Sequence, residues 1–221
     1  MLIRVASRTC NPLKGHLAAL VDERASFNEF KYLKGTEIFG EGEEAQYVYQ
    51  LISGAARTYK LLSDGRRQIN AFHLPGDMFG FEDGATYRFT ADAIIETNVY
   101  IVTRASLFNG ALHRVAGGKN LVRLVTRNLQ HAENHMLLLG RKTSLEKVAA
   151  FLLEMDERQV RPDVMMLPMN RRDIADYLGL TLETVSRALS ALRDKKMLRF
   201  EGQTQRQVML LDRRRLSKLD A

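Results

Sequence analysis

The segment NRRDIADYLGLTLETVSRALSALRDKK, residues 170–196, contains two short amphipathic helical patterns separated by a glycine turn. Apolar residues recur at helical spacing on both sides of the turn: Ile174, Ala175 and Leu178, then Val185, Ala188, Leu189 and Leu192. Each helix therefore has one apolar face to bury. Asn170 can cap the first helix, Gly179 can take the left-handed conformation that ends it, and Thr181 is a favourable N-cap for the next one. This order predicts a helix-turn-helix.

The first turn of the second predicted helix carries polar side chains suited to base recognition. Glu183, Ser186 and Arg187 are three and four residues apart and therefore share one face. In a major groove, Arg187 can donate two hydrogen bonds to guanine, Glu183 can accept from an exocyclic amine, and Ser186 can contact a thymine methyl or a base edge. An exposed ion pair between Glu183 and Arg187 is the alternative explanation. The capped glycine turn before them favours base recognition.

The residues around this segment complete a winged domain. Residues 145–155 (LEKVAAFLLEM) have an amphipathic helical pattern, residues 165–169 predict a short strand, and residues 197–211 predict two strands around a turn at Gly202. The charged run at residues 213–218 is interpreted as a solvated tail. Phosphate contacts are expected from six residues: Arg171, Thr181, Thr184, Lys195, Lys196 and Arg199.

The sequence LTLETVSRALSAL, residues 180–192, resembles the recognition helix of the CRP/FNR superfamily of bacterial transcription regulators. Its E-x-x-S-R core resembles the FNR and FixK branch, because Leu182 stands where the cAMP-receptor branch typically has an arginine. The resemblance implies an activator that binds double-stranded DNA as a homodimer, contacts RNA polymerase, and recognises a TTGA…TCAA palindrome through Glu183, Ser186 and Arg187.

Charge and composition agree with a DNA-binding function. Residues 1–140 contain 16 basic and 14 acidic side chains, whereas residues 141–221 contain 17 and 12, so the carboxy-terminal part is the better partner for a polyanion. The chain has no apolar run of membrane-spanning length and no secretory leader pattern. We therefore expect a cytoplasmic protein that does not bind membranes. Cys10 stands alone, which excludes an internal disulfide.

The amino-terminal part has the pattern of a β-sandwich or jelly roll. Short segments rich in strand-forming residues alternate with glycine turns: residues 30–33, 47–52, 55–61, 68–74 and 94–102. SDGRR, residues 63–67, predicts a hairpin with a type I′ turn, and residues 13–25 form an amphipathic helical pattern ahead of the strands. The order of residues 40–60 and LPGDMFG, residues 74–80, resembles the cyclic-nucleotide-binding β-roll of the same superfamily.

The same resemblance predicts that the nucleotide site is lost. Family members that bind the nucleotide have a glutamate directly after F-G and a serine or threonine directly after the arginine. Here Phe81 follows Gly80 and Phe89 follows Arg88, while Glu82 comes one position late. A cysteine-ligated iron–sulfur cluster is excluded by the single cysteine. No spacing singles out an axial haem ligand among His73, His113, His131 and His135. We expect no cofactor and no metal site.

A long helix is predicted between the two parts. Residues 115–139 are helical in pattern after a Gly-Gly break at residues 117 and 118. A stripe with coiled-coil spacing runs along it: Leu121, Val125, Asn128, Ala132, His135 and Leu139. An ordinary helix packed on its own β-roll is the alternative. We favour a dimer interface, because a palindrome is most simply read by a two-fold symmetric pair.

Together these patterns predict an α+β chain with an amino-terminal cyclic-nucleotide-binding-like β-roll, a dimerisation helix and a carboxy-terminal winged helix-turn-helix. The predicted domains are residues 1–114, 115–140 and 141–221. The alternative function is a ligand-gated regulator whose β-roll binds an unidentified small molecule. An enzyme is a distant third hypothesis, since no motif brings a nucleophile, a base and an orienting group together.

Overall fold

The computed structural model describes residues 2–4, 28–113, 115–140, 142–159 and 164–220, so Cys10 and the helical pattern at residues 13–25 lie outside the described residues. The strands are β1 Leu2–Arg4, β2 Asn28–Tyr32, β3 Glu37–Phe39, β4 Tyr47–Ser53, β5 Ala56–Leu61, β6 Arg67–His73, β7 Met78–Phe79, β8 Thr90–Ala93, β9 Thr97–Thr103, β10 Met165–Met166, β11 Leu198–Glu201 and β12 Gln207–Leu210. The helices are α1 Arg104–His113, α2 Val115–Leu139, α3 Ser144–Glu157, α4 Arg171–Leu178, α5 Leu182–Asp194 and α6 Arg213–Asp220. The chain divides into two compact units, Met1–Gln130 and His131–Ala221.

The first unit is a roll of two antiparallel sheets. One sheet has the strand order β1-β2-β9-β4-β7 and the other has the order β3-β8-β5-β6. Side chains from both sheets form one buried core, to which Phe39 and Tyr87 contribute a stacked ring pair with centroids 3.9 Å apart. Burial of apolar surface is the main favourable contribution to such a core, and stacked ring pairs add to it. The predicted β-roll and the α+β class are confirmed.

The hairpin between β5 and β6 forms where SDGRR predicts it, but its turn differs from the prediction. Leu62 N–H donates to the carbonyl of Arg66 at 2.8 Å, and Gly65 N–H donates to the carbonyl of Leu62 at 2.9 Å. Gly65 has φ +82°, whereas Asp64 keeps a negative φ. A type I′ turn needs a positive φ at both central residues. The hairpin therefore has a three-residue loop that ends in a left-handed glycine.

The predicted strand at residues 94–102 is also corrected. The strand β9 begins at Thr97, and a separate strand, β8, ends at Ala93. The intervening turn is held by the Thr97 hydroxyl, whose single O–H can donate to the carbonyl of Ile95 at 2.8 Å or to that of Ala55 at 3.0 Å. The apolar character of residues 94 and 95 suggested a continuous strand, but this buried hydroxyl stabilises a turn instead.

The helix α2 has the predicted bounds, but Gly117 and Gly118 lie inside it and do not break it. Each glycine costs a helix about 1 kcal/mol relative to alanine. This cost is offset by packing, because Leu121 and Leu124 of α2 contact a buried cluster on the outer face of the β-roll that includes Val48. The helix α1, which the sequence analysis missed, contributes Leu107 to the same cluster.

The second unit is a winged helix-turn-helix. The strands β10, β12 and β11 form an antiparallel sheet in that order, with Gly202 at φ +68° in the turn between β11 and β12. Helix α3 packs on α5 and α6, and α4 packs on α5. The helices bury Phe151, Ile174 and Leu189. This arrangement leaves the opposite face of α5 accessible.

The charged run at residues 213–218 is part of helix α6 and not a solvated tail. Its single large apolar side chain, Leu216, is fully buried. Asp212 accepts a hydrogen bond from the amide of Arg215 at 2.9 Å and so caps the helix. Arg213 donates two hydrogen bonds to the carboxylate of Asp156, at 2.7 and 3.0 Å. One buried leucine and one bidentate ion pair therefore anchor this segment, although most of its residues are charged.

Candidate nucleic-acid interface

Helix α4 is limited at both ends by the residues that its sequence indicates. Asn170 accepts a hydrogen bond from the amide of Asp173 at 2.9 Å, and the Asp173 carboxylate accepts one from the amide of Asn170 at 3.2 Å. This reciprocal capping box satisfies two amides at the helix start. Gly179 ends the helix in the left-handed conformation, with φ +62°. These two local features set the position at which the chain turns toward α5.

Helix α5 presents the three predicted base-reading residues on the face opposite its buried one. Thr181 caps the helix and accepts a hydrogen bond from the amide of Thr184 at 3.2 Å. The buried face consists of Val185, Ala188, Leu189 and Leu192. Glu183 and Arg187 are exposed, and Ser186 is half-buried beside them. The exposed pair can therefore reach base edges in a major groove without any change in the fold.

The carboxylate of Glu183 is held in its charged form. Its own backbone amide and the Thr181 hydroxyl donate hydrogen bonds to it, and these lower its pKa below the usual range. The positive charges of Arg172 and then Arg187 lower it further. An ionised Glu183 accepts hydrogen bonds only, so it suits the amine of cytosine or adenine.

Arg171, which the sequence analysis interprets as a phosphate contact, lies in a different environment. It is the first residue of α4 and is half-buried. One terminal nitrogen donates to the Ser186 hydroxyl at 3.2 Å, and the other donates to the side-chain carbonyl of Gln205. Its guanidinium lies over the ring of Phe200, 5.8 Å from the centroid. The structure thus brings Arg171 together with one of the predicted base-reading residues.

The other predicted phosphate contacts lie at separate places. Thr181 and Thr184 are at the start of α5, with their hydroxyls 3.0 Å apart. Lys195 and Lys196 are exposed at its other end, about 20 Å away at 1.5 Å per residue. Arg199 lies on β11, where its guanidinium pairs with Glu201 at 2.6 Å.

Gln205 was not predicted as a site residue, because the local sequence indicates the wing turn but not which of its side chains meets Arg171. It is exposed and has φ +53°, in the left-handed region. Arg172 was also missed, although it directly precedes the capping Asp173 and its charge reaches Glu183. Both residues belong to the polar surface around the start of α5.

The predicted stripe on α2 does not coincide with the exposed apolar surface of that helix. Leu121 packs on the β-roll, His135 stacks on Tyr177, and Leu139 is half-buried near Gly179. Val125, Asn128 and Ala132 are exposed. Among the side chains of α2 that the structure describes, the large apolar ones exposed by more than half are Val122, Val125, Leu129, Met136 and Leu137.

In the β-roll, the two residues nearest the predicted nucleotide positions bind each other. Arg88 donates to the Glu82 carboxylate from its backbone amide at 3.2 Å and from its side-chain Nε at 2.7 Å. The Glu82 side chain is only 6% exposed, whereas that of Arg88 is 70% exposed. A carboxylate of the protein thus already occupies the backbone amide and the Nε of Arg88, while most of the guanidinium surface stays exposed.

Among the described residues, no helix is both long enough and apolar enough to cross a membrane. The described part of the chain also contains no group of three or more His, Cys, Asp or Glu side chains arranged to hold a metal ion.

Comparison with known proteins identifies similarities over both units. Residues 146–219 match the family model of the Crp-like helix-turn-helix domain, and residues 29–112 match that of the cyclic nucleotide-binding domain. The chain is 43% identical over 167 residues to the nitrogen fixation regulation protein FixK of Rhizobium meliloti strain 1021, covering 76% of each chain. It is 46% identical over 170 residues to the transcriptional activatory protein AadR of Rhodopseudomonas palustris, covering 73% of this chain and 69% of AadR. The solved structure of FixK2 from Bradyrhizobium japonicum is 57% identical, has a TM-score of 0.84, and covers 89% of this chain and 98% of that chain.

Proposed function

Because the chain belongs to the CRP/FNR family of bacterial transcription regulators, we propose that it is a FixK-type activator that reads a TTGA…TCAA palindrome as a homodimer. The observation that carries this proposal is the exposed face of α5, where Glu183, Ser186 and Arg187 lie together. An acceptor, a hydroxyl and a bidentate donor on one face are suited to read a few successive base pairs. The protein acts on DNA and is not an enzyme, and its place of action is the cytoplasm.

The dimer proposal rests on the surface of α2. Val122, Val125, Leu129, Ala132 and Met136 are exposed and follow one another at alternating spacings of three and four residues, which is the spacing of a coiled-coil interface. A second copy of the same helix is the natural occupant of such a stripe, because a two-fold axis makes the surface complementary to itself. The interface that we propose shares Val125 and Ala132 with the stripe predicted from sequence. At its other positions it uses the next residue along the helix, for example Leu129 in place of Asn128.

Independence from cyclic nucleotide is supported by two features of the β-roll. The Glu82 carboxylate already accepts the hydrogen bonds of the Arg88 amide and Nε, so an anionic ligand would compete with a nearly buried carboxylate for these two donors. In addition, rings fill the space between the sheets: His73 stacks on Phe79 at 4.5 Å, and Tyr49 stacks on the same ring at 5.3 Å. Displacing packed rings would cost the free energy of their burial.

Activation through RNA polymerase is proposed from the relatives. AadR carries the name of a transcriptional activatory protein, and FixK carries that of a regulation protein. Recruitment of polymerase needs a bound dimer with exposed surfaces on both units. Transcription in vitro from a promoter with one palindrome, with and without the protein, measures this step directly.

The test of DNA recognition is a binding titration with purified, ligand-free and metal-free protein at a fixed, near-physiological salt concentration. We expect the TTGA…TCAA duplex to bind at least about 10³-fold more tightly than a scrambled duplex of the same composition. A preference that arises only after cAMP is added would favour the ligand-gated regulator. Equal binding of both duplexes under both conditions would exclude the proposed role of α5.

A further inference from the structure

Arg171 connects three elements of the winged domain through one side chain. Its guanidinium donates to the Ser186 hydroxyl on α5 and to Gln205 in the wing turn, and it covers the ring of Phe200 on β11. Its neighbour Arg172 is exposed. Two adjacent arginines at the start of the same helix therefore have different environments.

The contact with Gln205 has a structural reason. Gln205 has φ +53°, a conformation that costs free energy for any residue with a Cβ. A charge-assisted hydrogen bond is stronger than a neutral one, so the bond from Arg171 helps to hold the wing turn in this conformation. The wing and the recognition helix are linked through the guanidinium that binds both.

The contact with Ser186 has a chemical consequence. A serine hydroxyl has one donor and two acceptor lone pairs, whereas a guanidinium has donors only. Ser186 therefore accepts from Arg171 at 3.2 Å, and its own O–H remains available to donate. The nearby positive charge also disfavours the approach of another donor, such as an exocyclic amine.

We propose that Arg171 is a positioning residue that determines which hydrogen-bonding group Ser186 reads in the major groove. With Arg171 in place, Ser186 donates to a base acceptor, which is O4 of thymine, O6 of guanine, or N7 of either purine. It rejects a base that presents an amine at that point. This inference rests on the proposed function, because it assumes that α5 enters a major groove.

A phosphate contact by Arg171 would behave differently. Loss of a phosphate contact weakens binding to all sequences almost equally and reduces the salt dependence by about one counterion. Loss of a group that orients Ser186 changes the relative affinities for different bases at one position. The two roles are therefore distinguished by sequence preference and not by affinity alone.

The experiment measures the affinity of the full chain for the palindromic duplex and for a set in which each base pair of the half-site is replaced in turn. The variants are Arg171→Ala, Arg171→Lys, Ser186→Ala and the double variant Arg171→Ala/Ser186→Ala. Arg172→Ala is the matched control, since it removes the same charge from the same turn of α4. Gln205→Ala releases the wing and keeps the Arg171–Ser186 contact. Thermal unfolding of each variant checks that it is folded.

We expect Arg171→Ala and Ser186→Ala to lose discrimination at the same base pair, by about three- to tenfold each, as for one hydrogen bond. The double variant should lose no more than either single one, and Arg171→Lys should fail to restore discrimination because lysine lacks the planar fork. Arg172→Ala and Gln205→Ala should lower affinity without changing base preference.

Two results would overturn the proposal. A uniform loss in Arg171→Ala, recovered by Arg171→Lys, would identify a phosphate contact. If Arg171→Ala and Ser186→Ala lose discrimination at different base pairs, Arg171 does not act through Ser186. Failure of the proposed function is recognised independently, because the unmodified protein would then not prefer the palindrome over the scrambled duplex.

Discussion

The imidazole of His135 stacks on the phenol ring of Tyr177, with ring centroids 4.1 Å apart. Among the described residues, neither ring nitrogen of His135 has a hydrogen-bond partner. Removal of the ring from water lowers its pKa to about 4, and the charges of His131 and Lys147 act in the same direction. The histidine is therefore neutral at physiological pH and packs as an aromatic ring between α2 and α4.

This relationship predicts a pH-dependent stability. Unfolded His135 takes up a proton near its ordinary pKa of 6.5, whereas the folded form does so only near 4. The contribution of neutral His135 to the free energy of unfolding is therefore fully present above pH 6.5. It is lost as the pH falls toward 4. Because the ring is only half-buried and solvent screens part of the effect, we expect a loss of about 2 kcal/mol.

His135→Phe should keep the stacking on Tyr177 and remove the titrating group. Urea unfolding at a series of pH values between 4 and 7 should then show a shallower pH dependence than the unmodified protein, with the difference largest at the acidic end. Parallel curves for the two proteins would mean that other groups cause the acid sensitivity.

Arg187→Ala should weaken binding to the palindrome by about 1–3 kcal/mol and have little effect on random DNA, because a bidentate arginine–guanine contact is lost. Arg193→Ala is the control. Arg193 is an exposed arginine in the last turn of the same helix, where it pairs with Asp194 at 2.9 Å. Fluorescence anisotropy at one salt concentration compares the two variants. Equal losses on both duplexes would contradict a base contact by Arg187.

Leu129→Lys should dissociate the dimer, since it places a charge in the proposed apolar interface of α2. Asn128→Lys should leave the dimer intact, because Asn128 lies outside that stripe, although it belongs to the stripe expected from sequence. Sedimentation velocity over a range of protein concentrations measures both. A dimer that survives Leu129→Lys and dissociates in Asn128→Lys would restore the interface predicted from sequence.

Replacement of Glu82 and replacement of Arg88 should lower the stability of the protein by different amounts. Arg88→Ala leaves a carboxylate that is only 6% exposed without its side-chain partner, so we expect a loss of about 1–3 kcal/mol. Glu82→Gln leaves an arginine that is 70% exposed and well hydrated, and should cost about 1 kcal/mol or less. Chemical denaturation measures both. A larger loss of stability in Glu82→Gln than in Arg88→Ala would show that the Glu82 carboxylate also makes stabilising interactions outside this pair.

Local signals predicted the ends of the helices well. Asn170, Gly179 and Thr181 act within four residues of their own positions, so their roles follow from capping and backbone preferences alone. The hairpin turn was less well predicted, because Asp-Gly is compatible with more than one loop length. The C-terminal helix was missed since its anchor, Leu216, is a single residue whose burial depends on packing against α3.

The amino-acid sequence by itself determined the order of a strand-rich part, a long helix and a helix-turn-helix, the face of α5 that carries Glu183 and Arg187, and the resemblance to a family of regulators. These properties depend on residue spacing of up to about two helical turns. Only the tertiary structure decided which side of α2 is free and what Arg171 binds. Neighbouring residues of a helix differ by about 100° in direction, and the packing of Leu121 on the β-roll selects one orientation. Ser186 and Gln205 are 15 and 34 residues from Arg171, so no local pattern could connect them.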